Sequence, residues 1–114
     1  MKQPDKLYIL WTNADVLTAE KMVFMYAGNS LKRDWWKEVE LIIWGATAKL
    51  CAENEDIQAG LAELMRLGVR VVACRACASA LGVQEKLESL GIEVFSYGQP
   101  LTELIREKEN LITV

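Results

Sequence analysis

Four short apolar runs punctuate the chain: Leu7-Tyr8-Ile9-Leu10-Trp11, then residues 39–44, 69–74 and 92–95. Each has the length of a strand buried on both faces, and their regular spacing predicts parallel strands joined by helical crossovers. Between the first two runs, Asp15 or Thr18 can cap a helix reaching about Leu31. Its apolar positions, Ala19, Met22, Val23, Met25, Tyr26 and Ala27, are more than one face can bury. Between the second and third runs, Ile57, Leu61, Leu64 and Leu67 make a single helical stripe, and Gly68 supplies a left-handed stop. The third run is followed by a short helix ending near Gly82 and a second over residues 84–90, stopped by Gly91. Pro100 and Thr102 open a last helix through about Lys108, and Leu111-Ile112-Thr113-Val114 reads as a terminal strand. The order β-α-β-α-β-α-β-α-β predicts an α/β protein: an open, mainly parallel five-stranded sheet with helices on both faces, formed by one domain over residues 1–114.

Composition narrows the function. With 114 residues, 52% of them hydrophobic, the chain can build an ordinary globular core. A net charge of -3 argues against a broad surface for nucleic acid or anionic lipid, which are held by clustered Lys and Arg. No leader-like segment opens the chain and no apolar run approaches the roughly 20 residues that span a bilayer, so a cytoplasmic address is expected. The chain has three cysteines and no histidine. That removes Cys-His and Ser-His-Asp catalysis and leaves three thiolates, one short of a tetrahedral zinc site. Neither G-x-G-x-x-G nor G-x-x-x-x-G-K occurs, so no nucleotide cofactor or metal is expected.

Four segments should converge at the carboxyl ends of the strands, where open α/β sheets bind ligands near the reversal of strand order. They are Thr12-Asn13-Ala14-Asp15, Gly45-Ala46-Thr47-Ala48, Cys74-Arg75-Ala76-Cys77 and Ser96-Tyr97-Gly98. Cys74 closes a strand and Cys77 lies one helical turn further on. A helix N-terminus and the neighbouring Arg75 would both stabilise a thiolate and depress its pKa. Cys74 is therefore the candidate nucleophile and Cys77 its resolving companion. Gly45 leaves room on the rim, and Asn13, Thr47 and Tyr97 could supply hydrogen bonds there. The plainer alternative is that both cysteines are small buried hydrophobes, the reading preferred for Cys51. Trp35 and Trp36 lie in a polar connection, and with the overfilled first helix they point to a subunit interface. Gly60 is read as a close-packing glycine, and residues 106–109 as a solvated helix end.

Several of these stretches resemble the DsrE/DsrF-like sulfur-relay family: Leu41-Ile42-Ile43-Trp44-Gly45-Ala46, residues 68–77 around Cys74, Leu81-Gly82-Val83, Leu90-Gly91-Ile92-Glu93-Val94 and Pro100-Leu101-Thr102-Glu103. The resemblance implies a three-layer flavodoxin-like domain, commonly a trimer or hexamer, that carries sulfur as a cysteine persulfide. Cys74 corresponds to the family's sulfur-accepting cysteine, and Cys77 belongs to only part of the family. The expected function is that of a sulfur carrier or sulfurtransferase passing sulfur between donor and acceptor proteins. Two other classes compete with it: a dithiol redox protein using Cys74 and Cys77, and an oligomeric binding module with inert thiols.

Overall fold

In the computed structural model, which describes residues 4–114, five strands alternate with helices: β1 (Lys6–Trp11), β2 (Glu38–Ile43), β3 (Arg70–Cys74), β4 (Glu93–Phe95) and β5 (Leu111–Thr113). All pairings are parallel, in the order β4-β3-β2-β1-β5. The α/β architecture and the parallel sheet expected from the apolar runs are both present. The reversal of strand order falls between β1 and β5, so β3 and its cysteines lie two strands away from it.

Strand alternation divides the core into two unequal layers. Leu7, Ile9 and Trp11, with Val39, Leu41, Ile43, Val69, Val71 and Ala73, face the larger layer. The helical segments of the first three connections cover that face. The first connection runs through α1 (Val16–Thr18), a π-helical stretch (Ala19–Phe24) and α2 (Met25–Lys32). The second runs through α3 (Ala46–Glu53) and α4 (Glu55–Leu67), and the third through α5 (Arg75–Ala80) and α6 (Gln84–Ser89). The opposite pleat presents Tyr8, Ile42, Val72 and Cys74 to a smaller cluster closed by Leu101 and Leu104 of α7 (Gly98–Arg106).

Local chemistry sets the helix ends. Asp15 caps α1 through the amide of Thr18, and Asn54 caps α4 through the amide of Ile57, which satisfies donors that a helix start leaves unpaired. Gly68 ends α4 at φ +105°, a left-handed conformation that side chains resist. The first helix differs from the simple one predicted. Ala19, Val23 and Ala27 are buried while Met22 and Met25 stay exposed, and wide π turns occupy its middle. The segment 45–48, expected as a rim loop, is instead the start of α3. The expectation failed because Ala46-Thr47-Ala48 carries no broad apolar stripe.

Below the smaller cluster, a carboxylate is buried among cations. Glu40 accepts from Lys6 Nζ at 3.2 Å and Arg70 Nη1 at 3.1 Å, while its other oxygen accepts from the Tyr97 hydroxyl. Arg70 also grips Glu93 with Nε at 2.8 Å. Burial disfavours the Lys6 ammonium, but the Glu40 carboxylate outweighs it and the pKa rises. The carboxylate is thus fully partnered, which removes the cost of an isolated buried charge.

Candidate functional site

Cys74 is the last residue of β3, paired across the sheet with Phe95, and it also stands at the N-cap of α5. Strand alternation turns its side chain onto the smaller layer, against Tyr97, Val72 and Ile42, and leaves it 4% exposed. Cys77, one turn into α5, is half-buried and packs against the same cluster. The two thiols share this cluster, and neither is in a disulfide. The motif therefore brings together one sealed thiol and one open thiol.

The open thiol lines a cavity of about 590 Å³ at the carboxyl ends of β1, β2 and β3. Its walls are small or apolar: Ala14, Gly45, Ala46, Leu50, Ala80 and Leu81, with Lys49 and Glu53 on α3 as its charged residues. These α3 residues were invisible as site residues while 45–48 was read as a loop. The signal that could have found them is the helical spacing of Ala46, Lys49, Leu50 and Glu53.

Electrostatics departs from the sequence expectation. Burial is the main influence on Cys77 and raises its pKa, and the neighbouring Cys74 sulfur adds to the rise. Hydrogen bonds from the backbone amides of Gly45 and of Cys77 itself oppose the shift without reversing it. Arg75 was expected to depress the thiol pKa. Its guanidinium instead donates to the Val94 carbonyl at 3.4 Å, on the β4 side.

The other rim residues separate. Gly45 adopts φ +68° at the start of α3, and this turn places its amide by the Cys77 sulfur. Thr47 is fully buried, and its hydroxyl donates to the Trp11 carbonyl at 2.8 Å while accepting from the Trp44 amide at 3.1 Å, so it ties β1 to β2. Asn13 is exposed and shapes its own turn, accepting from the Asp15 amide at 2.9 Å. Tyr97 flanks Cys74 within the smaller cluster, and its hydroxyl is directed at Glu40. Burial and that carboxylate hold its pKa well above the usual phenol range. Glu40 itself was not singled out, although a glutamate between Val39 and Leu41 is a readable sign of a buried charge.

Cys51 lies in α3 with no exposed surface, and burial pushes its pKa up to about 12. It is a packing residue. No group of three His, Cys, Asp or Glu side chains among the described residues is placed to hold a metal ion.

Comparison with known proteins adds a family to this geometry. A family model described as the DsrE/DsrF-like family matches residues 8–114. A conserved protein of unknown function, BT1422 from Bacteroides thetaiotaomicron, is similar in structure at a TM-score of 0.95 with 39% identity, covering 96% of this chain and 95% of that one. The YchN protein from E. coli superimposes at a TM-score of 0.66 with 12% identity over 100% of both chains, a likeness of fold. No curated protein matches the chain.

Proposed function

Because the chain belongs to the DsrE/DsrF-like family, we propose that it is a sulfur carrier in which Cys74 holds sulfur as a persulfide and passes it to an acceptor protein. The observation that carries this reading is the pair of free thiols at the end of β3, one sealed by the smaller core layer and one open to a cavity. A persulfide must be held where stray thiols do not reach it, yet exchange needs an accessible sulfur. Exchange at sulfur requires a thiolate and a leaving sulfur and calls for no general base, so a chain without histidine can perform it. The free thiols also suit a reducing compartment such as the cytoplasm.

The partners in this reading are a sulfur donor protein, a sulfur acceptor protein and further copies of the chain, assembled as a trimer or hexamer. The test is to treat the protein with a persulfide donor and weigh it intact. A gain of one sulfur atom is expected, and it should be held only briefly once Cys74→Ser removes the sheltered thiol. Sulfur retained as long in that variant as in the wild type would remove Cys74 from its role.

The placement of both cysteines at one cluster, a helical turn apart, also favours a second reading, a reversible Cys74–Cys77 disulfide used in dithiol redox chemistry. The two readings part on the product of the same experiment. A carrier gains a sulfur, whereas a dithiol oxidant cycle ends with two hydrogens lost, hydrosulfide released and no sulfur gained.

A further inference from the structure

We propose that the two cysteines divide the transfer between them: Cys77 is the thiol that exchanges sulfur with a partner's persulfide, and Cys74 is the sheltered thiol on which the sulfur then rests. The inference rests on the sulfur-carrier reading and adds an order of events to it. Attack on a persulfide requires three sulfurs nearly in line, so the donor must approach the attacking thiol directly. Cys74 is 4% exposed and lies beneath Tyr97 and beside Val72, which leaves a folded donor no such approach. Cys77 is half-buried and forms part of the wall of the 590 Å³ cavity. Ala14, Ala46 and Ala80 keep that cavity open beside it, where longer side chains would fill the approach.

The local donors suit an exchanging sulfur. Gly45 and Cys77 line the same cavity, with the Gly45 amide near the Cys77 sulfur. That amide would stabilise negative charge as it develops there. Both cysteine side chains pack at the smaller cluster, one helical turn apart, which gives the sulfur a short path from one to the other.

The steps balance without an added oxidant or reductant. The Cys77 thiolate attacks the terminal sulfur of a donor R–S–SH, the S–S bond of the donor breaks, and R–S⁻ departs and takes up the proton given up by the Cys77 thiol. Cys77–S–SH results. The Cys74 thiolate then attacks that terminal sulfur, a new S–S bond forms on Cys74, and Cys77 leaves as a thiolate that recovers the proton Cys74 gave up. The sulfane sulfur keeps its oxidation state throughout.

The test compares a small donor, inorganic polysulfide, with a bulky one, persulfidated serum albumin, on the wild type, Cys74→Ser, Cys77→Ser and Cys77→Ala. Two substitutions at Cys77 guard against a folding defect in either, and near-ultraviolet circular dichroism reports the fold of each. Loss of Cys77 is expected to slow loading from albumin by roughly tenfold or more while polysulfide still loads Cys74, since exchange rate follows access. Cys74→Ser is expected to load on Cys77 from both donors and to surrender that sulfur to added glutathione roughly tenfold or more faster than the wild type. Albumin loading at the wild-type rate without Cys77, or equal lifetimes of sulfur in Cys74→Ser and wild type, would overturn the division of roles. Failure of the wild type to load from either donor would instead overturn the carrier reading on which it rests.

Discussion

Three cysteines within 114 residues occupy three different environments, and the differences follow from where each side chain lands. Cys51 is in α3 under the larger core layer, Cys74 ends β3 on the smaller one, and Cys77 reaches the cavity a turn later. At neutral pH, alkylation followed by peptide mass mapping should therefore modify Cys77 first, Cys74 more slowly and Cys51 only on unfolding. Since the Cys77 pKa is raised, its labelling should keep climbing above the ordinary thiol range rather than levelling there; a plateau at or below that range would contradict the environment described. Cys51 yields a pH prediction with a definite sign. Its thiol ionises near 9.0 when unfolded and is pushed up to about 12 when folded, so the folded state keeps a proton that the unfolded state has lost. The stabilisation is fully present below pH 9 and disappears as pH rises through the folded value, an effect on the order of a few kcal/mol. Urea denaturation between pH 8 and 11, about the width of that window, should show a steeper alkaline loss for the wild type than for Cys51→Ala. Parallel curves would mean that the thiol titrates alike in both states.

Elements were more legible than the ties between them. The strands could be read because each is a brief apolar run with its own turn residues, and α4 because Ile57, Leu61 and Leu64 make a single stripe ended by Gly68. α3 escaped because it is short and built from small residues, and the π turns escaped because their period matches neither helix nor strand template. At the site, the location of the cysteine pair was readable, but which thiol is sealed depends on strand alternation at Cys74 against helical rotation at Cys77. Thr47 and Tyr97 were assigned to the rim by loop position, whereas buried partners, the Trp11 carbonyl and Glu40, claim their hydroxyls. Gly60 shows an element-level tie that the sequence did suggest. A Cβ there would lie 2.6 Å from the Phe24 ring, which itself stands edge-on to Trp11 at 5.4 Å. Gly60→Ala should therefore destabilise the protein by about 1–3 kcal/mol despite its better helix propensity, and Phe24→Leu should recover part of that loss. A stabilised Gly60→Ala in chemical denaturation would show that the ring yields freely.

On the scale of the whole molecule, the first connection is the side the chain leaves uncovered. Leu17 is 64% exposed, Met25 49% and Trp35 53%, values unusual for such residues on a surface facing only water. Met22, Met25, Tyr26 and Trp35 line a single shallow depression of about 310 Å³, with Lys21 and Asn29 beside them. Trp35 stacks on Tyr26 at 5.9 Å and lies under Arg33 at 5.9 Å, so its ring is held outward rather than free to fold onto the core. Trp36 plays the opposite part: it packs on the larger layer and donates from Nε1 to the Tyr26 hydroxyl at 3.1 Å. The self-association proposed for the chain would place the outward ring in the contact between copies. Sedimentation velocity of Trp35→Glu should then show a smaller species than the wild type at equal concentration, with thermal stability of the protomer little changed, because a charge replaces an already exposed ring. Trp36→Glu should instead lower stability outright by about 2–4 kcal/mol, through loss of core packing and of the hydrogen bond. Ile105→Glu on α7, where the wild-type side chain is 59% exposed on the other layer, is the control and should leave the sedimentation coefficient alone. A wild type that sediments as a monomer at every concentration, or a Trp35→Glu protein indistinguishable from it, would leave the tryptophan a surface residue and move any contact between copies to another face.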